Sequence, residues 1–152
     1  MPNAIDILKE DHDRVKELLS DLEETSNRAT TQRTDLLAKI ADELEVHMKI
    51  EEQVFYPAFK AAAEKSEERE MFFEAKEEHR VLDFELPRVQ KTDPSTDDFA
   101  AHAKVLKELV EHHVREEEKE MFPKAKKLMS SDELDALGEK MEAKREKMLA
   151  AA

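Results

Sequence analysis

His47-Met48-Lys49-Ile50-Glu51-Glu52 and His113-Val114-Arg115-Glu116-Glu117-Glu118 are two copies of one six-residue block in a chain of 152 residues. Each copy is followed by a proline at the same offset, Pro57 and Pro123, and each is preceded at a distance by another histidine, His12 or His79. The chain thus reads twice as His, a long gap, then His-x-x-x-Glu. Residues four apart share one face of an α-helix, so each block aims an imidazole and a carboxylate at one point. That pairing of donors suits first-row metals, iron among them. Two such half-sites facing each other make a dinuclear metal centre the leading expectation.

The surrounding sequence specifies helices. Gly138 is the single glycine and there are five prolines, while Ala, Leu, Glu and Lys abound, which favours helix over strand. Turn-forming stretches set the boundaries. A first helix runs from an Asn3 cap to about Ser26, and a second from about Gln32 to Lys65, with a kink or break expected at Pro57. A third runs from Ser66 to about Lys91 and a fourth from about Asp97 to Met129. Ser130-Ser131-Asp132-Glu133 reads as a capping box that opens a fifth, short helix ending near Leu149. The expected fold is all-α, an up-down-up-down four-helix bundle over residues 1–129. Residues 130–152 form a short C-terminal helix packed on it or extending from it.

Apolar periodicity places the histidines. The first helix buries Ile5, Leu8, Val15, Leu19 and Leu22, with His12 in the same stripe. The second reads Leu37, Ile40, Leu44, His47, Glu51, Val54, Ala58, and the third Phe72, Ala75, His79, Leu82, Leu86, Val89. The fourth reads Phe99, His102, Leu106, Leu109, His113, Glu117, Met121. Antiparallel neighbours lie at equal height when equally far from their shared turn, and His12 and His47 are each roughly 18 residues from theirs. Glu51 and His79 are each about 14 residues from the next turn, and His79 and His113 roughly 16 and 18 from the third. His12, His47, Glu51, His79, His113 and Glu117 therefore fall at one level of the bundle. Two carboxylates buried there without partners would cost several kcal/mol, a physical reason to place a cation between them.

Other residues serve as controls. His102 lies roughly 16 Å along the helix from His113 and belongs to the far end of the bundle. His112 is rotated by about 100° from His113 and faces solvent or a helix edge. Glu52, Glu116, Glu118 and Glu120 read as a solvated acidic face, and Phe55, Tyr56, Met121 and Phe122 as packing that walls the site. The absence of cysteine excludes disulfides, zinc–thiolate sites and iron–sulfur clusters within the chain. A net charge of −13 disfavours nucleic acid and anionic membranes as partners. With no signal-peptide pattern at Met1-Pro2-Asn3-Ala4 and no long apolar run, a soluble cytoplasmic protein is expected, as monomer or weak homo-oligomer.

The pattern His12, His47-x-x-x-Glu51, His79, His113-x-x-x-Glu117 resembles the hemerythrin-like (HHE cation-binding) family over about residues 1–129. The resemblance implies a non-haem di-iron centre in a four-helix bundle. Glu51 and Glu117 would bridge, His12 with His47 would hold one iron, and His79 with His113 the other. Oxo, hydroxo or water ligands would complete the two iron ions. Oxygen-carrying members place two histidines four apart on the third helix, whereas Ala75 and Asp83 flank His79 here. Their last motif also ends with Asp one residue later, whereas Glu117 stands at the four-residue offset. The chain matches the four-His two-Glu variant, in which one coordination position is open to water, peroxide or nitric oxide.

The resulting expectation is a di-iron protein that binds or reduces a small oxidant (dioxygen, peroxide or nitric oxide) in stress handling or sensing. The alternative is iron storage or donation, ferritin-like or in iron–sulfur repair. Ferritin-type sites use Glu-x-x-His, and no histidine here has Glu three residues before it. A helical interaction module with a polar core is the non-chemical alternative.

Overall fold

The computed structural model describes residues 2–152, and among these it contains helices and no strand. Helix α1 spans Ala4–Glu23, and Asn3 caps it: its side chain accepts from the Asp6 N–H while the Asp6 carboxylate accepts from the Asn3 N–H. Helix α2, Thr30–Ile50, continues through a π-helical turn, Glu51–Phe55, into α3, Tyr56–Ala62. Helix α4 spans Ser66–Lys91. Helix α5, Asp97–Glu116, likewise runs through a π turn, Glu117–Met121, into α6, Phe122–Leu128. Helix α7, Ser131–Ala151, opens on the expected Ser130/Glu133 capping box.

The rods α1, α2–α3, α4 and α5–α6 form the up-down-up-down bundle, with α1 beside α2 and α5, and α4 beside α5 and α3. Helix α7 lies across α1 and α2. It is not short: at 21 residues it matches the bundle helices. Beyond its capping box no proline interrupts it, and Leu134, Leu137 and Met141 give it a buried apolar stripe. Gly138 permits close docking, since a Cβ there would stand 2.9 Å from the Pro2 carbonyl oxygen and 3.1 Å from the Ala4 nitrogen. None of the described helices is long and apolar enough to cross a membrane.

Pro57, where a kink or break was expected, does not interrupt its rod, and neither does Pro123. Each follows a π turn, where the backbone bonds i to i−5 and one extra residue enters the helix. Tyr56 N–H donates to the Glu51 carbonyl and Phe122 N–H to the Glu117 carbonyl. Pro57 and Pro123, which lack an N–H, fall just past these bonds. The extra residue also shifts the buried face. Unbroken α-helix would bury Val54 and Ala58, but the fully buried residues are Phe55, Tyr56 and Phe59. On α5 the core face is Ala103, Leu106, Val110 and Val114, while His102 and Leu109 are half-buried.

The core has two apolar clusters. One holds Ile5, Leu8, Ile50, Phe55, Phe59, Phe72, Phe122 and the α7 residues Leu134 and Met141. The other holds Val15, Leu19, Leu22, Ile40, Leu44, Leu82, Phe99, Leu106 and Val110. Along α1, α2 and α4 the switch between clusters falls at His12, His47 and His79. A polar layer separates them. At the far end, buried Arg33 ties two loops together by donating to the carbonyls of Thr25, at 3.1 Å, and Pro94, at 2.7 Å.

Candidate metal centre

The polar layer brings together all six residues singled out by the repeat, each of them buried. His12, His47, Glu51 and Glu117 form one group able to hold a metal ion, and Glu51, His79 and His113 a second, with donor atoms inside each group within 4.8 Å of one another. Every histidine turns Nε2 inward. His47 Nε2 lies 3.0 Å and His79 Nε2 3.1 Å from Glu51 Oε1. His12 Nε2 lies 3.1 Å and His113 Nε2 3.2 Å from Glu117 Oε1. Each carboxylate thus touches one histidine from either half of the chain. Both glutamates are the first residues of the π turns, a local irregularity often found at functional sites.

The donor set fits a cation. His47 Nε2, although close to Glu51 Oε1, is not aligned for a hydrogen bond, and Glu51 Oε2 has no partner. Buried polar atoms are rarely left unpaired. The Nε2 atoms of His79 and His113 also point at each other across 3.2 Å. Imidazole nitrogen and carboxylate oxygen together are a ligand set for iron, manganese or zinc.

A second ring of acids surrounds the first, and sequence reasoning missed it. Each histidine Nδ1 meets a carboxylate: His47 meets Asp11 at 2.9 Å, and His12 meets Glu118, His79 meets Glu52 and His113 meets Glu78, each at 2.7 Å. Glu52 and Glu118 are therefore not merely a solvated face; Glu116 and Glu120 stay outside the ring. The arrangement follows the internal repeat. The acid before the first histidine of each half, Asp11 or Glu78, holds the second histidine of that half. The acid after each motif glutamate, Glu52 or Glu118, holds the first histidine of the other half. The doublets Asp11-His12 and Glu78-His79, with Glu51-Glu52 and Glu117-Glu118, were the available signal.

Tyr56 also belongs to the site and not only to its wall. Its hydroxyl donates to Glu117 Oε2 at 2.8 Å and stands 3.1 Å from His79 Nε2 and 3.2 Å from His113 Nε2. The equivalent residue of the second repeat is Phe122, whose ring stacks on His12 at 5.8 Å between centroids. The controls behave as expected: His102 bonds Glu85 at 2.8 Å away from the site, and the His112 side chain is 55% exposed.

The family model of the hemerythrin HHE cation binding domain matches residues 3–125. The chain belongs to this family. A crystal structure of a hemerythrin HHE cation binding domain-containing protein, the Rv2633c homolog from Mycobacterium kansasii, superposes with a TM-score of 0.84 at 31% identity, covering 97% of this chain and 87% of that one. Rv2633c of Mycobacterium tuberculosis, an uncharacterized protein, is 29% identical over 96% of this chain and 87% of its own length. A DNA nickase from a Nostoc species is 25% identical over 96% of this chain, which spans 40% of that protein's length.

In this hemerythrin-like metal-binding domain the carboxylates control the imidazoles. Burial alone would keep His47 neutral, but the charge of nearby Glu51 and the hydrogen bond to Asp11 outweigh it and push the group up to about 10. Burial is likewise overcome at His12 by Glu117 and Glu118, at His79 by Glu51 and Glu52, and at His113 chiefly by Glu117, so all three lie above the usual histidine value. Burial opposes ionisation of Glu51, yet His47 and His113 hold it well below the carboxylate range. Burial, with the charges of Glu117 and Glu51, raises Tyr56 well above a normal phenol, so it stays a neutral hydrogen-bond donor.

Proposed function

We propose that the domain holds two iron ions, one at His12 and His47 and the other at His79 and His113, with Glu51 and Glu117 shared between them. The centre binds or reduces a small oxidant: dioxygen, peroxide or nitric oxide. The observation that carries this reading is the convergence of four inward Nε2 atoms on two carboxylates that each face both halves. Six protein side chains leave coordination positions on two metal ions for exogenous ligands.

The size of the approach supports a small ligand. A void of about 20 Å³ touches Glu117 and is lined by Met71, Ala75 and Met121 together with the acids Glu74, Glu78, Glu116 and Glu120. That is room for one water or a diatomic molecule, not for an organic substrate. Ala75 is one of the two positions four residues from His79, and its small side chain leaves this space. Bound iron would supply the redox chemistry. The protein's own contribution is fixed imidazoles, an apolar enclosure by Phe55, Phe72 and Phe122, and the Tyr56 hydroxyl, which holds a proton against Glu117 Oε2.

The test is metal content per chain on freshly purified protein, with the visible spectrum in air and after dithionite. Two irons per chain are expected, with near-ultraviolet absorption that bleaches on reduction. His47→Ala should lose at least one ion. Two ions retained in a Glu51→Ala/Glu117→Ala double variant would overturn the shared-carboxylate assignment, and zinc without a chromophore would overturn the redox role.

A further inference from the structure

The two halves of the centre repeat each other in their inner residues but not in what lies behind them. Asp11, which holds His47, is itself held by cations. Nη2 of Arg145 donates to both Asp11 carboxylate oxygens at 2.8 Å, and Arg14 donates to Oδ1. Glu78, the counterpart that holds His113, has no arginine or lysine bonded to it among the described residues. Its other oxygen lies 3.3 Å from Nε2 of the half-exposed His112. Arg145 stands on α7, beyond residue 125 where the family match ends and outside the internal repeat.

We infer that Arg145 is a positioning residue that fixes His47 through Asp11, making the two metal positions unequal: the His12–His47 position depends on α7 and the His79–His113 position does not. This rests on the two-ion reading above. A carboxylate on the outer nitrogen of a ligand histidine sets its tautomer and ring orientation, and losing such a partner typically weakens metal binding 10–100-fold. The Asp11 side chain is 2% exposed, and Arg145 is the cation that meets both its oxygens. The two arginines also line a cleft of about 860 Å³ between α1, α2 and α7 that reaches Asp11. Without Arg145, water in that cleft competes with His47 for the Asp11 carboxylate, and the imidazole loses its fixed direction. Arg14 does not replace it, because its side chain is 46% exposed and also faces Glu43 at 3.5 Å.

The experiment is anaerobic titration of the full chain with ferrous iron against a ferrous chelator, resolving two binding steps. Arg145→Gln should weaken one step about 10–100-fold and leave the other within error. Arg145→Lys, which keeps the charge but not the two-oxygen contact, should weaken the same step less. Glu78→Gln should weaken the opposite step. Equal weakening of both steps by Arg145→Gln, no weakening, or the same step affected by Arg145→Gln and Glu78→Gln would each overturn the inference. Fewer than two steps in the unaltered chain would instead overturn the two-ion reading, and this one with it. Should Arg145→Gln fail to fold, the Arg145→Lys and Glu78→Gln pair carries the same comparison.

Discussion

A histidine aimed at a metal needs its other nitrogen occupied, or the ring is free to turn and to change tautomer. All four inward histidines meet that need with a carboxylate, which makes the acids at Asp11, Glu52, Glu78 and Glu118 as much part of the centre as Glu51 and Glu117. Glu52→Gln and Glu118→Gln should each weaken metal retention by about 10–100-fold, whereas His102→Ala, remote from the layer, should leave it unchanged. Chelator competition measures all three, and equal retention across the set would show the outer acids to be idle. The inner six were legible in the sequence because a charged or imidazole side chain in an apolar stripe is conspicuous. The outer four were not, because 41% of the chain is charged. An acid beside a motif is then indistinguishable from a solvated one until its direction is known. Tyr56 was hidden for the opposite reason: an aromatic residue in a core position needs no polar partner to explain it.

Among the elements, the π turns show where periodicity stops being a guide. Three-four spacing located the helices and the inner residues up to Glu51 and Glu117, over which the backbone is regular α-helix, although on α5 it put His102 and Leu109 on the face that Ala103, Val110 and Val114 occupy. In the α2–α3 rod one inserted residue then moved the buried face from Val54 and Ala58 to Phe55, Tyr56 and Phe59, and Pro57, read as a kink or break, marks that insertion as Pro123 does in the α5–α6 rod. Helix α7 had the right start, since its cap is local chemistry. Its end, expected near Leu149, falls at Ala151, but its docking on α1 was not legible because its apolar stripe is sparse and its partner face is remote in sequence. Its docking can be tested at Gly138. Alanine is favoured over glycine inside a helix by about 1 kcal/mol, but here the added Cβ meets the backbone of Pro2, Asn3 and Ala4, which cannot rotate away. Gly138→Ala should therefore lower stability by about 1–3 kcal/mol, the usual cost of overpacking. Urea melts of the metal-free chain measure it, and an increase in stability would mean that α7 docks less tightly than the structure has it.

For the molecule as a whole, protons and metal ions compete for one layer between two apolar clusters. In the metal-free chain four imidazoles are held above their ordinary value of 6.5, His47 at about 10. Groups raised on folding contribute stability that is fully present below 6.5 and is lost as pH rises through the folded value. Glu51 is lowered from 4.5, so its contribution is present above 4.5 and is lost as pH falls. The metal-free chain should accordingly be most stable between about pH 4.5 and 6.5 and lose stability steadily toward pH 10. Divalent cations replace those protons, two ions carrying the same charge as four protonated imidazoles, and they bind the neutral ring. Metal binding should therefore release protons below pH 10 and hold the layer together where the protons no longer can. The gap in melting temperature between metal-loaded and metal-free protein should widen from pH 6 to pH 9, and isothermal titration at pH 6 in two buffers of different ionisation enthalpy should show the release. A gap that stays constant with pH would mean that the ions bind elsewhere, because cations seated on these four histidines must displace the protons these carboxylates hold there.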